Sequence, residues 1–333
     1  MARIDGELKS AQPEILSSLP SGPQPLNRLV QSFGDIYTWN GTMWVKILST
    51  SNVGTLFSNL TPSVIQYLSG SGTHRASYWF NVLSATAVVG ATYTNNGVTF
   101  QVQRTITGGG QLLLRATTAG TPQSAGTLTK ASGTGDATIS FASVRAPLYS
   151  IVEMVGGGGA GGSGNTGTFA GSGGNTTFGT ATANGGTGGS GAGSATAGTG
   201  GVFNAGTFDR IFACNGSRGS APGASGGTYN LGGVGGGTPL GPGGSVTGNA
   251  VGVAPSAANT GVGGAGGSIN ATAGLVAGAG GGSGAYGKLL NVNPLTPQSY
   301  SIGAAGTFVA GGVNGFQGGN GSDGIVVVTD YFQ

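Results

Sequence analysis

The sequence predicts a mostly β and irregular fold with under about a tenth helix, in three stretches. These are an N-terminal arm and β-hairpin (1–50), a small antiparallel β-rich module (51–147), and a distal glycine-rich domain of polyglycine II helices closed by terminal strands (148–333). Three observations predict it. Sixteen of the 74 glycines precede Ile151, so the second half holds most of a residue that offers no side chain to a core. In the first half, apolar and polar residues alternate with period two. Charged residues make up 6% of the chain, against about 25% in soluble domains generally, so uncharged polar groups must carry solubility.

The first 32 residues contain Pro13, Pro20, Pro23 and Pro25 in a polar stretch, which favours an extended anchoring arm. Leu26, Leu29, Val30 and Phe33 then fall on one helical stripe behind Pro25. Next, Ile36 to Trp39 and Thr42 to Val45 flank Asn40-Gly41, a dipeptide suited to the positive φ angles of a two-residue hairpin turn. In that register Tyr37 faces Trp44 and Trp39 faces Thr42. The aromatic face so formed can pack on the next module or hold a sugar. Met1 to Ser10 carry charges where a signal peptide needs an apolar core, and no apolar run approaches the length of a membrane span.

In the middle stretch, Thr61 and Pro62 read as the cap and first turn of a brief helix over 61–69. Strands follow. Val98, Phe100 and Val102 alternate with Thr99 and Gln101 after a turn at Asn95-Asn96-Gly97, and Ala137, Ile139 and Phe141 alternate with Thr138 and Ser140. A small sandwich or meander ending near Val144 is expected.

The glycine-rich half opens on the apolar run 148–155 and closes on Ile325 to Phe332, two strands that can pair and close a domain. Between them, glycine runs such as 185–190, 232–237 and 263–268 repeat locally in threes, the period of an extended left-handed helix without internal hydrogen bonds. Glycine at successive turns lets such helices approach until their backbones bond sideways. Collagen is excluded by the broken register and sparse proline. The alternative is a disordered linker, against which the two apolar end strands and the scattered single aromatics weigh.

No catalytic constellation is legible. The net charge of +3 is spread singly, without a basic run, which gives no footprint for nucleic acid. One cysteine, Cys214, and one histidine, His74, leave no cysteine cage and no multi-histidine metal site. Gly156, Gly158 and Gly161 match a dinucleotide fingerprint after a strand, but no helix-forming sequence follows and Asn175 stands where an acid belongs. Asp136, Asp209 and Asp323 are available for glycosidase chemistry, which spacing alone leaves open. The expectation is a non-enzymatic protein with no catalytic residue, metal or cofactor.

Binding is a different matter. The glycine-poor insertion 202–218 gathers Phe208, Asp209, Arg210 and Phe212, and aromatics beside an arginine are typical interface anchors. The competing reading, which carries more weight, is that these phenylalanines form the domain's own core. Tyr229 and Tyr286, on short bridges between glycine runs, are further candidate contacts, and 246–260 is a second glycine-poor insertion.

IVEMVGGGGAGGSG (151–164), NPLTPQSYSIGAAGT (293–307) and GGNGSDGIVVV (318–328) together resemble the glycine-rich domain that recurs at the ends of bacteriophage tail fibres. More loosely they resemble the adhesin capping the long tail fibres of T-even phages. ATYTNNGVTFQV (91–102) with GTLTKASGTGDATISF (126–141) is similar to a module of phage fibre and tail proteins, and YTWNGTMWV (37–45) resembles small hairpins of virion proteins. The N-terminal half departs from the T-even adhesin. The resemblance implies a virion protein made in the host cytoplasm, a homotrimer held by its arm to another tail or fibre protein, and distal loops that meet a bacterial surface protein or polysaccharide. No nucleic acid partner and no membrane insertion are expected. A purely structural fibre, collar or capsid decoration is the alternative.

Overall fold

The structure is a computed structural model that describes residues 14–16, 21, 29–32, 35–39, 44–49, 64–191, 195–225, 229–245, 251–252, 258–270 and 275–332. Among them there is no helix. The chain divides into two compact units, residues 1–62 with Gln333, and Ser63–Phe332.

The first unit is a four-stranded sheet in sequence order, built from β1 (Glu14–Leu16), β2 (Leu29–Ser32), β3 (Asp35–Trp39) and β4 (Trp44–Ser49). Only β1 and β2 are parallel. Two expectations are corrected. Leu29 and Val30 belong to a strand rather than a helical stripe, since a single turn of helix has little stability of its own while β3 offers a full ladder of partners. Leu26 and Phe33 lie outside the described residues. In the hairpin Trp39 pairs with Trp44 and Tyr37 with Lys46, so four residues connect the strands instead of two, and the pairing shifts between Ile36 and Tyr37. Four-residue loops are a common alternative to the tight turn.

The second unit opens on β5 (Val64–Leu68) and β6 (Ser71–His74). The brief helix expected over 61–69 is replaced by β5, which pairs along its whole length with a strand near the C-terminus, Val64 with Asp330 to Leu68 with Val326. Gln66 and Leu68 point inward and Ile65 and Tyr67 outward, the period of a strand. Residues 64–74 thus pair with strands of the distal half, although they fall within the expected middle module.

A closed six-stranded barrel follows, where a sandwich or meander was expected. Its strands are β7 (Ser77–Ala87), β8 (Thr92–Asn95), β9 (Val98–Val102), β10 (Ile106–Ala116), β11 (Gly126–Ser132) and β12 (Thr138–Arg145), in the order β10-β7-β12-β11-β8-β9. Closure leaves the sheet no free edge. Asn96 and Gly97, at φ of 50° and 75°, make the two-residue turn between β8 and β9. The inward positions, among them Tyr93, Leu112, Leu114, Leu128 and Ile139, fill the interior. Phe80 meets Phe100 and Phe141 edge to face at 5.4 and 4.9 Å.

The remaining strands are β13 (Pro147–Val155), β14 (Thr176–Phe178), β15 (Ala181–Ala183), β16 (Phe203–Asn204), β17 (Asp209–Cys214), β18 (Gly223–Ser225), β19 (Tyr229–Leu231), β20 (Ile269–Asn270), β21 (Tyr286–Asn291), β22 (Gln298–Ser301) and β23 (Ile325–Phe332). Two five-stranded sheets, β17-β21-β13-β23-β5 and β16-β15-β14-β22-β6, share a core of Leu68, Val152, Met154, Phe178, Leu289 and Val328. As the sequence predicts, the two apolar end strands pair, from Pro147 opposite Phe332 to Val155 opposite Ile325. A small sheet, β18-β19-β20, stands apart.

Eight strands of this sandwich run directly into or out of glycine-rich segments: β13 into 156–165, β15 into 184–191, β17 into 215–220 and β22 into 302–307, while 170–175, 196–202, 275–285 and 315–324 lead back into β14, β16, β21 and β23. These segments bond to one another every third residue. Gly158, Gly161 and Gly164 donate their N–H to the carbonyls of Ser322, Gly319 and Phe316 at 2.8–2.9 Å. Gly159, Gly162 and Asn165 donate to Gly282, Ala279 and Val276, and Gly157 and Ala160 to Gly174 and Gly171. Carbonyls of the same segment accept from Gly186 and Gly189, from Gly264 and Gly267, and from Gly306 and Gly312, so segment 156–165 has six bonded neighbours. Residues 156–164, 261–269 and 277–285 are buried throughout, and the interior they form is backbone. A Cβ at Gly158 or Gly161 would land on the carbonyl of Val262 or Ala265.

Candidate functional site

The alternation of outgoing and returning segments gives the glycine-rich body two ends. The near end is the sandwich. The far end collects the connections between outgoing and returning segments, including 166–169 and 308–314, together with β18, β19 and β20. Asn165 and Asn314, at φ of 51° and 62°, turn the chain there, and the Asn165 amide donates to the Val313 carbonyl at 2.9 Å. The Ser163 hydroxyl reaches the Val309 carbonyl. Phe169 and Val313 are 60% and 80% exposed, and Phe308 is exposed as well. Gly171 donates to Thr307 at 2.8 Å, so the chains that carry Phe169 and Phe308 run side by side. Exposed large apolar groups on a loop-built end, over a backbone-bonded scaffold, can meet a partner surface without disturbing a core.

The residues singled out from sequence do not form one site. Phe208 is half-buried and packs on the sandwich core, its ring 5.8 Å from that of Phe178. Asp209 and Arg210 are exposed on the edge strand β17. Phe212 follows them, 52% exposed, with its ring 5.9 Å from Tyr286. Tyr286, expected as an exposed contact, is 7% exposed, because β21 is an inner strand flanked by β17 and β13. Its hydroxyl donates to Glu153 Oε1 at 2.6 Å. Burial, and then that bond and the Glu153 charge, raise the phenol's pKa above its ordinary value. These five residues belong to the near end. Tyr229 alone lies at the far end, on β19, paired with Ser225 and Asn270.

Phe169, Phe308 and Val313 were not singled out from sequence, although single aromatics set in glycine runs were noted as a feature of this half. Which of them face water depends on where each segment ends, and glycine runs carry no periodic side-chain pattern to mark it.

Other chemistry is sparse. A cleft of about 640 Å³ beside the near end is lined by Cys214, Ser217, Pro239, Leu240 and Pro242. Burial pushes the Cys214 thiol up, which makes it a poor nucleophile at neutral pH. Among the described residues, no three His, Cys, Asp or Glu side chains gather as metal ligands, and no helix is long and apolar enough to cross a membrane. Comparison with protein-family models, curated proteins and solved structures finds no match.

Proposed function

We propose that the chain is a non-enzymatic bacteriophage tail-fibre component that binds the host surface through the far end of its distal domain. In this reading the glycine-rich segments are polyglycine II helices. The bonding period of three residues and the six bonded neighbours of segment 156–165 support it, since that helix repeats every three residues and bonds only sideways. The observation that carries the binding role is the exposure of Phe169, Phe308 and Val313 on loops that no core requires. A bacterial surface protein or polysaccharide is the proposed partner. The first half is proposed to anchor the chain to another tail or fibre protein and to hold a homotrimer. Ile65 and Tyr67, both exposed on the edge strand β5, support self-association.

A purely structural fibre, collar or decoration protein is the competing reading, favoured by the same backbone-bonded scaffold. Binding of the purified protein to cells of strains that the parent virus infects separates the two. The adhesin reading expects binding, at least about tenfold weakened by the double change Phe169→Asp and Val313→Asp and unaffected by Phe212→Ala at the near end. Light scattering checks that each variant keeps the mass of a trimer. Failure of the intact protein to bind any such strain rejects the adhesin, and a monodisperse monomer rejects the trimer.

A further inference from the structure

Where the barrel meets the sandwich there is a polar cavity of about 210 Å³, lined among others by Gln66, His74, Arg75, Arg115, Thr117 and Tyr300. His74 is 2% exposed, and among the described residues neither of its ring nitrogens has a hydrogen-bond partner. Its ring lies 5.6 Å from Phe178. Gln66 uses its amide N–H groups on Ser77 Oγ and Asp330 Oδ2, both at 3.1 Å, and its buried Oε1 has no partner among the described residues. Arg75 and Arg115 are half-buried, and among the described residues neither forms an ion pair. The buried acid Asp330 is taken up by Ser150 Oγ at 2.5 Å, the Ser77 N–H and Gln66, and does not line the cavity.

Buried polar groups are normally satisfied, and each one left open calls for a partner that belongs there. Two guanidiniums without a carboxylate, beside an imidazole that donates from one ring nitrogen when neutral and from both when protonated, form a donor set for negative oxygen. Gln66 Oε1 adds an acceptor suited to a ligand that retains a proton. We propose that this cavity binds a compact oxyanion, a phosphate or a carboxylate, held by Arg75 and Arg115 with His74 and Gln66 completing its hydrogen bonds.

Arg115 on β10 is the charge that depresses His74, after burial itself. Arg75 adjoins it in sequence, Tyr300 faces the cavity from β22, and Asp330 on β23 is engaged elsewhere. A bound anion offsets both guanidiniums, so the imidazole must become easier to protonate when the site fills.

His74 is the chain's only histidine, so its ring signals in an NMR titration report the site without ambiguity. With inorganic phosphate as the probe, the shifts of His74 should saturate and its pKa should rise from about 4 by roughly one unit or more. Sodium chloride at matched ionic strength should do neither. Acetate in a parallel arm distinguishes the two oxyanions: a saturable response to it as tight as that to phosphate assigns a carboxylate site, and a weaker one assigns phosphate. Arg115→Gln and, separately, Arg75→Gln should each weaken the response at least tenfold, with dispersed barrel amides confirming the fold. A response that is linear, is matched by chloride, or survives both substitutions overturns the proposal.

Discussion

Burial and the neighbouring Arg115 charge lower the His74 pKa from 6.5 to about 4. The unfolded chain therefore takes up a proton that the folded chain refuses. Stability that is fully present above pH 6.5 is lost as pH falls toward about 4, by up to about 1.4 kcal/mol per pH unit. Asp330 acts with the opposite sign. Burial outweighs its hydrogen bonds from Ser150, Ser77 and Gln66 and raises its pKa, so the stability it lends is present below the ordinary carboxylate range and lost as pH rises through the raised value. Melting curves at pH 7 and pH 5, in phosphate-free buffer, should show a decline in the parent protein that His74→Gln flattens. An equal decline in both would assign the pH dependence to other groups.

At the level of single elements, the glycine segments pack through their backbones, and there a methyl group is already too large. Gly161→Val is expected to cost at least about 1–3 kcal/mol by overpacking against Ala265. Gly223→Ala, with nothing within 4 Å of the added carbon, should be nearly neutral. Thermal unfolding of the two variants compares them directly, and equal stability would show that the segments can move apart at little cost. The sequence was readable wherever side chains alternate. Val98, Phe100 and Val102 point into the barrel, Asn96-Gly97 makes its turn, and β13 finds β23 across most of the distal half. It misled where local signals competed with distant partners. Thr61-Pro62 suggested a helix start, but β23 lies far along the chain and its unpaired edge decides that Val64–Leu68 is a strand. Asn40-Gly41 suggested the tightest turn, yet the pairing faces Trp39 with Trp44. Barrel closure was hidden because it depends on distant pairings, of β7 with β10 and β12 and of β8 with β11, which no single strand announces. The residue types in 202–218 suggested an interface, but their strand joins the sandwich, and Phe208 packs on its core.

Taken whole, the second unit has two kinds of interior. The barrel and sandwich bury side chains, and the glycine-rich body buries backbone, whose hydrogen bonds replace the missing apolar core. Hydrogen exchange is the measurement suited to this difference. Amides of 156–164, 261–269 and 277–285, enclosed by bonded neighbours, should exchange as slowly as the barrel strands, while loop amides such as those of Phe169, Ala310 and Val313 exchange fast. Uniformly rapid exchange across the glycine-rich half would return it to the class of flexible linkers.

The continuity of sandwich strands with glycine segments also bears on force. A pull on the loop at 166–169 travels along 156–165 into β13, and one on 308–314 travels back through 315–324 into β23. The bonds that resist it lie crosswise to that direction and repeat every third residue along each segment. Under such a load they are sheared together rather than peeled apart in turn, so a pull at this end would be met by many weak bonds acting at once.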